Sequence, residues 1–274
     1  MITQKDYIKN TLRIFLHKTS ATPDDDNVRI GEPTLFDKNI EHAFLFVTFT
    51  WDIKKAEKLK QIWESICPVE IGGPALNISR DNDEFTPGMF LKKGYVITSR
   101  GCPNKCWFCK AWQHPLKELK IKQGNNIADD NILACSENHI RKVFKMLETQ
   151  SSVKFTGGLE AARLKDWHID LLLKTKINAM FFAYDTPDDY EPLVYAGKLL
   201  QTAGYTRNKM YCYILIGYKG DTFNKAEKRI MDTWKAGFMP FSMLLKDRDG
   251  KQNKEWIKFQ RMYTRPAIIK AIMK

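Results

Sequence analysis

No apolar run in this chain approaches the roughly 20 residues that a membrane-spanning helix requires, and its opening stretch, MITQKDYIKN, lacks the hydrophobic region of a signal peptide. The two absences exclude the simplest membrane and secretory readings and lead to the expectation of a cytoplasmic protein. There is no compact arginine-rich run and no recognised nucleic-acid module. Cysteine is used sparingly, at six positions in 274 residues, and Cys67, Cys135 and Cys212 lie too far apart to share a metal centre. They read as ordinary buried thiols. The other three fall in one loop, and a reducing compartment is where such a loop keeps its thiolates.

The formal net charge is +12, unevenly carried: residues 1–90 hold 11 Lys/Arg against 14 Asp/Glu, and residues 91–274 hold 33 against 18. Such an excess is a footprint for nucleic acid or another polyanion, since phosphate neutralisation dominates that binding; lysines scattered over solvated helix faces give the same total. The length suits one large domain or a domain with an appendage, with a substantial buried core.

What is present centres on Tyr95 to His114, YVITSRGCPNKCWFCKAWQH. Tyr95 to Thr98 is an apolar, β-branched run that reads as a buried strand, and Cys102, Cys106 and Cys109 follow at C-x3-C-x2-C spacing. Three thiols on so short a loop, with Pro103 and Asn104 able to curl the backbone, can enclose zinc or an iron–sulfur cluster. The fourth ligand separates the two. His114, five residues after Cys109, would complete a Cys3His zinc site and a zinc-stabilised nucleic-acid-binding protein. Zinc modules of that kind are small and metal-folded, whereas this loop hangs from a strand inside a long chain. A cluster held by three cysteines leaves one iron open to a non-protein ligand, and without such a ligand it is an electron carrier.

Around the loop, strands and helices alternate. In residues 1–36, Ile8, Leu12, Ile14, Phe15 and Leu16 are expected on one side of a short helix. Ala43 to Phe49, a helix over Asp52 to Ser65 and a strand from Pro68 to Ile71 make a βαβ unit, so residues 1–90 are expected to form a small Rossmann-like domain. From Tyr95, six strands are expected, the later ones at 126–128, 153–156, 179–183, 210–216 and 238–245. Six βα steps are too few for a closed eight-stranded barrel and fit an open, partial one over residues 91–245, whose chemistry gathers at the strands' C-terminal ends. Gly157-Gly158, Asp185 and Ile216-Gly217 fall at such ends, as do Asp129, Asp130 and Asn131, which read equally as solvated turn residues or as rim contacts. The tail, residues 246–274, has 9 basic and 3 acidic residues and reads as a basic helix packing its aromatic side against the barrel, with a polyanion-binding arm as the alternative.

GCPNKCWFC, with Phe108 directly before the third cysteine, resembles the cluster loop of the radical SAM superfamily, and the resemblance covers roughly residues 91–245. It implies a (β/α)6 TIM-like partial barrel, a 4Fe–4S cluster on Cys102, Cys106 and Cys109, and S-adenosylmethionine bound to the open iron. It further implies reductive cleavage to a 5′-deoxyadenosyl radical, hydrogen-atom abstraction from an unknown substrate, and a reductant such as flavodoxin or ferredoxin. TGGLEA is similar to the family's GGE element, which contacts the methionyl amino group; this places Gly157, Gly158 and Glu160 in cofactor binding, with Leu159 intervening. By the same resemblance Asp185 accepts from the ribose hydroxyls, and Phe108, Ile216 and Gly217 contact the adenine; Tyr184 and Tyr218 are candidates to line the radical site. A strand ending in GGP ahead of SRGCP is similar to members that carry a cobalamin-type domain, but Asp-x-His-x-x-Gly is absent and neither His17 nor His42 has its neighbours. Gly72 and Gly73 are therefore expected to serve as scaffold.

Overall fold

The computed structural model describes residues 11–76, 87–247 and 249–273; Ile8 of the expected first helix lies outside them. The protein is mixed α/β and divides into two compact units, the described residues of Met1–Lys93 with Lys246–Lys251, and Gly94–Leu245 with Gln252–Lys274.

The first unit is a four-stranded parallel sheet. β1 (Leu12–Phe15), β2 (Val28–Ile30), β3 (Ala43–Phe46) and β4 (Val69–Gly72) lie in the order β2-β1-β3-β4. The helical expectation for Leu12 to Phe15 is corrected here. All four residues are buried in an inner strand, and over four positions a strand covered on both faces is as apolar as a helix stripe. Helix α1 (Ile53–Glu64) follows β3 and buries Ala56, Leu59 and Trp63 against Leu12, Ile14, Ala43 and Leu45. Gly73 has φ +123°, and a Cβ there would stand 2.5 Å from the Val47 carbonyl oxygen, a close approach only glycine permits.

The second unit opens with β5 (Tyr95–Val96), the two-residue strands β6 (Ser99–Arg100) and β7 (Lys117–Glu118), and β8 (Asn126–Ile127). Then come α2 (Glu137–Leu147), β9 (Val153–Leu159), α3 (Asp166–Leu173), β10 (Ile177–Ala183), α4 (Tyr190–Thr202), β11 (Met210–Ile216), α5 (Phe223–Lys235) and β12 (Met239–Leu244). Six of these strands form a parallel sheet in the order β12-β11-β10-β9-β8-β5, each beside its neighbour in sequence. α2 starts where the Ser136 hydroxyl accepts the His139 N–H, and it buries Ile140, Val143, Phe144 and Leu147. One sheet face supplies Val153, Phe155, Met180, Phe182, Met210 and Cys212 to the main core. On the alternate positions, half-exposed Phe181 stacks on Tyr211 and Tyr213 with ring centres 4.9 and 4.8 Å apart.

The tail is two helices rather than one, α6 (Lys254–Met262) and α7 (Pro266–Ile272), because Pro266 opens the second. Phe259 and Tyr263 pack with Ile214, Ile216, Ile230 and Leu244, leaving Lys254 and Lys258 exposed. No helix among the described residues is long and apolar enough to cross a membrane.

Candidate functional site

Parallel strands end on one side of their sheet, and the cysteine loop, Asp129 to Asn131, Glu160, Asp185 and Gly217 follow the C-terminal ends of β5, β8, β9, β10 and β11. The cysteine loop follows β5 and is closed by the antiparallel pairing of β6 with β7, Ser99 opposite Glu118 and Arg100 opposite Lys117. Gly101 at its entry has φ +88° and lies so near the chain that a Cβ would be 2.4 Å from the Pro115 carbonyl oxygen.

Three successive residues after β8 hold this loop. The Asp129 carboxylate, buried, accepts the Thr98 N–H at 2.5 Å and the Thr98 and Ser99 hydroxyls at 2.5 and 2.8 Å. Asp130 accepts from the Arg100 guanidinium and the Gly101 N–H, both at 2.9 Å. Asn131 Nδ2 donates to Cys102 Sγ at 3.6 Å and to Glu160 Oε2 at 2.6 Å. The sequence left these three open between turn and rim contact; they are the loop's anchors. Burial pushes the Asp129 carboxyl up, with the Thr98 and Ser99 donors pulling the other way.

The thiols of Cys102, Cys106 and Cys109 are each half-buried. Cys102 Sγ also accepts the Asn104 N–H and Cys109 Sγ the Ala111 N–H, both at 3.4 Å. Burial raises the Cys106 thiol, and the charges of Cys109, Cys102, Asp185 and Asp189 push in the same direction. Among the described residues no three His, Cys, Asp or Glu side chains converge on a common point. Like-charged thiolates repel, and ligand sets of this kind close around their metal rather than ahead of it. By donor chemistry the loop fits a soft centre: three thiols on one short segment, two of them accepting amide hydrogens as cluster thiolates do. His114 is exposed at the end of a short 3-10 helix, Ala111–Gln113.

Other expected residues divide by what their side chains touch. Gly157 and Gly158 lie inside β9 rather than after it, a correction to the expected strand end at Thr156. A Cβ on Gly157 would be 2.0 Å from the Asp129 carbonyl oxygen, so this glycine lets β9 meet the anchoring segment. Gly158, at φ +107°, has nothing within 4 Å of that position. Glu160, one residue later than the family element has it, is tied to Asn131 and to Arg163 Nε, and through Asn131 to Cys102. Asp185 Oδ1 accepts the Leu215 N–H at 2.8 Å, joining the ends of β10 and β11; burial, and next to it the charge of Asp189, lift its carboxyl to about 6 against the pull of that hydrogen bond.

Ile216 is fully buried on the helix side with Ile230 and Phe259, so its side chain faces core and only its backbone reaches the sheet edge. Gly217 has φ +75° and packs so tightly that a Cβ would be 2.5 Å from Leu244 Cδ1. Tyr184 is buried against Tyr190 in the core and does not line an open face. Phe108 is half-buried edge-on to Trp107, and it is Trp107, 63% exposed, that reaches the Tyr218 ring with centres 5.5 Å apart. Arg229 Cζ lies over that ring, 5.3 Å from its centre, and the buried Asp221 carboxylate accepts from the Gly217 N–H and Arg229 Nη2, both at 2.9 Å; Arg229 Nη2 also donates to the Leu215 carbonyl. Sequence reasoning missed Trp107, Asp221 and Arg229; only the doubled aromatic inside the cysteine spacing was a signal. No family model matches the chain, and neither a curated protein nor a solved structure matches it.

Proposed function

We propose that the chain is a radical SAM enzyme whose second unit is an open, partial (β/α)6 barrel. The observation that carries the reading is the C-x3-C-x2-C loop, leaving the first strand of a sequentially ordered parallel sheet and anchored to the end of the next. Cys102, Cys106 and Cys109 hold a 4Fe–4S cluster in this proposal, and S-adenosylmethionine takes the remaining iron position. When bound, the cluster, once reduced by the external reductant, would supply one electron to the sulfonium, whose C5′–S bond would break to release methionine and a 5′-deoxyadenosyl radical for hydrogen-atom abstraction.

The chain's own groups bind and orient. Gly158 leaves room for close approach of the methionyl end, with Glu160 and Asn131 beside it as acceptors. Asp185 keeps one oxygen on Leu215 and has the other for a ribose hydroxyl; at neutral pH, above its value of about 6, it is ionised and the stronger acceptor. Trp107 and Tyr218 offer flat apolar surface to the adenine, with Phe108 behind them. The external reductant is a flavodoxin or ferredoxin, and the substrate is left open by rim residues of permissive type.

The test is anaerobic: reconstitute with iron and sulfide, reduce, add S-adenosylmethionine, and measure 5′-deoxyadenosine by mass spectrometry beside Cys106→Ala. Formation by the wild type alone is expected. A brown protein without the product supports an electron carrier, and a colourless zinc protein overturns the reading.

A further inference from the structure

Asn131 is 4% exposed, and its amide lies between a carboxylate and a thiol. Chemistry fixes which end is which, since only Nδ2 can donate to the Glu160 carboxylate; Nδ2 therefore also faces Cys102 Sγ, at 3.6 Å. Oδ1 is left buried with no hydrogen-bond partner among the described residues. A buried acceptor without a donor is costly, and in a native protein it marks strain, a catalytic role, or a bound water, ion or ligand.

We propose, on the basis of the radical SAM reading, that Asn131 is a positioning residue. Its N–H, held in direction by Glu160, sets the reduction potential of the cluster on Cys102, and its free Oδ1 accepts a donor group from the ligand bound beside that cysteine. Reduction adds negative charge to the cluster and its sulfurs. An N–H aimed at a ligand sulfur stabilises the more negative state, so it raises the potential and makes the cluster easier to reduce. Glu160 has a structural counterpart in this role, because Arg163 Nε binds the same Oε2 and keeps that oxygen in place.

Anaerobic potentiometric titration of the reconstituted full chain, followed by electron paramagnetic resonance of the reduced cluster, tests this. Asn131→Leu removes the donor and Asn131→Asp replaces it with charge at the same size. The expected order of midpoint potential is wild type highest, Asn131→Leu lower and Asn131→Asp lowest. Adding S-adenosylmethionine should alter the wild-type spectrum more than that of Asn131→Leu. If either variant alone fails to fold, the other decides the sign. A variant with reduced cluster content but a wild-type potential assigns Asn131 a merely structural role and overturns the proposal. A wild type that binds no iron overturns the radical SAM reading itself and this inference with it.

Discussion

Asp185 has two demands on one carboxylate. Its Oδ1 ties β10 to β11, and burial makes ionisation costly enough to lift the carboxyl to about 6. A carboxyl whose folded value is raised binds more protons folded than unfolded between about 4 and 6, so its ionisation destabilises the fold progressively as pH rises through that window. Asp185→Asn keeps an acceptor for Leu215 and removes the charge. Its thermal midpoint is expected to exceed wild type by about 2–4 °C at pH 7.5, with the gain vanishing near pH 4. In the proposed enzyme the same change weakens S-adenosylmethionine binding about tenfold, one charge-assisted hydrogen bond. Equal midpoints at pH 7.5 would show that the carboxylate is not destabilised.

His168 shows the opposite sign. It is 2% exposed, its Nδ1 accepts the Lys165 N–H at 2.9 Å, and burial, then the Lys165 charge, bring its value down to about 4. Stability from the neutral ring is fully present above pH 6.5 and is lost as pH falls towards 4, on the order of 2 kcal/mol by pH 4.5. Urea unfolding at pH 7 and pH 4.5 measures this, and His168→Gln should flatten the difference. Neither value was legible in the sequence, because each depends on neighbours that the fold supplies.

At the scale of elements, the glycine pair of β9 separates packing from binding. Gly157→Ala drives a Cβ into the Asp129 backbone and is expected to cost about 1–3 kcal/mol in chemical denaturation. Gly158→Ala meets no atom and is strained only by its φ of +107°, at about 1 kcal/mol. The proposed function adds that Gly158→Ala loses 5′-deoxyadenosine yield while staying folded; full yield would remove Gly158 from the binding site. The pair itself was visible as Gly-Gly, but its two different reasons were not. β11 follows its apolar pattern residue for residue, Met210 to Ile216, and α2 begins at the serine its sequence advertises. Leu12 to Phe15 misled because a short buried strand carries no periodicity.

For the whole molecule, the basic tail matters through its apolar side. Phe259 and Tyr263 are 8% and 2% exposed over Ile214, Ile216 and Leu244, and Ile269 of α7 is fully buried. Burying three such side chains is worth about 5 kcal/mol. Deleting residues 252–274 is therefore expected to lower the thermal midpoint and cause aggregation in light scattering, in high salt as in low. Loss only at low salt would instead mark the tail's charge as its contribution. Of the basic residues in that tail, Lys254 and Lys258 face solvent.

The sequence by itself determined what is local: the three-cysteine spacing, the order of the six sheet strands from Tyr95 and of the helices between them, the start of α2 and, among the described residues, the lack of a membrane-length apolar helix. Each rests on residues within one turn or one strand of each other. Only the tertiary structure decided that Asp129, Asp130 and Asn131 grip the cysteine loop, that Glu160 reaches it through Asn131, and that Ile216 turns its side chain to the core. The anchoring bonds join residues about 30 positions apart in the chain, brought together by parallel pairing of β5, β8 and β9. Which polar atom meets which is set by that pairing and register, and the side chain an Asp or Asn will meet is not encoded in its neighbours along the chain.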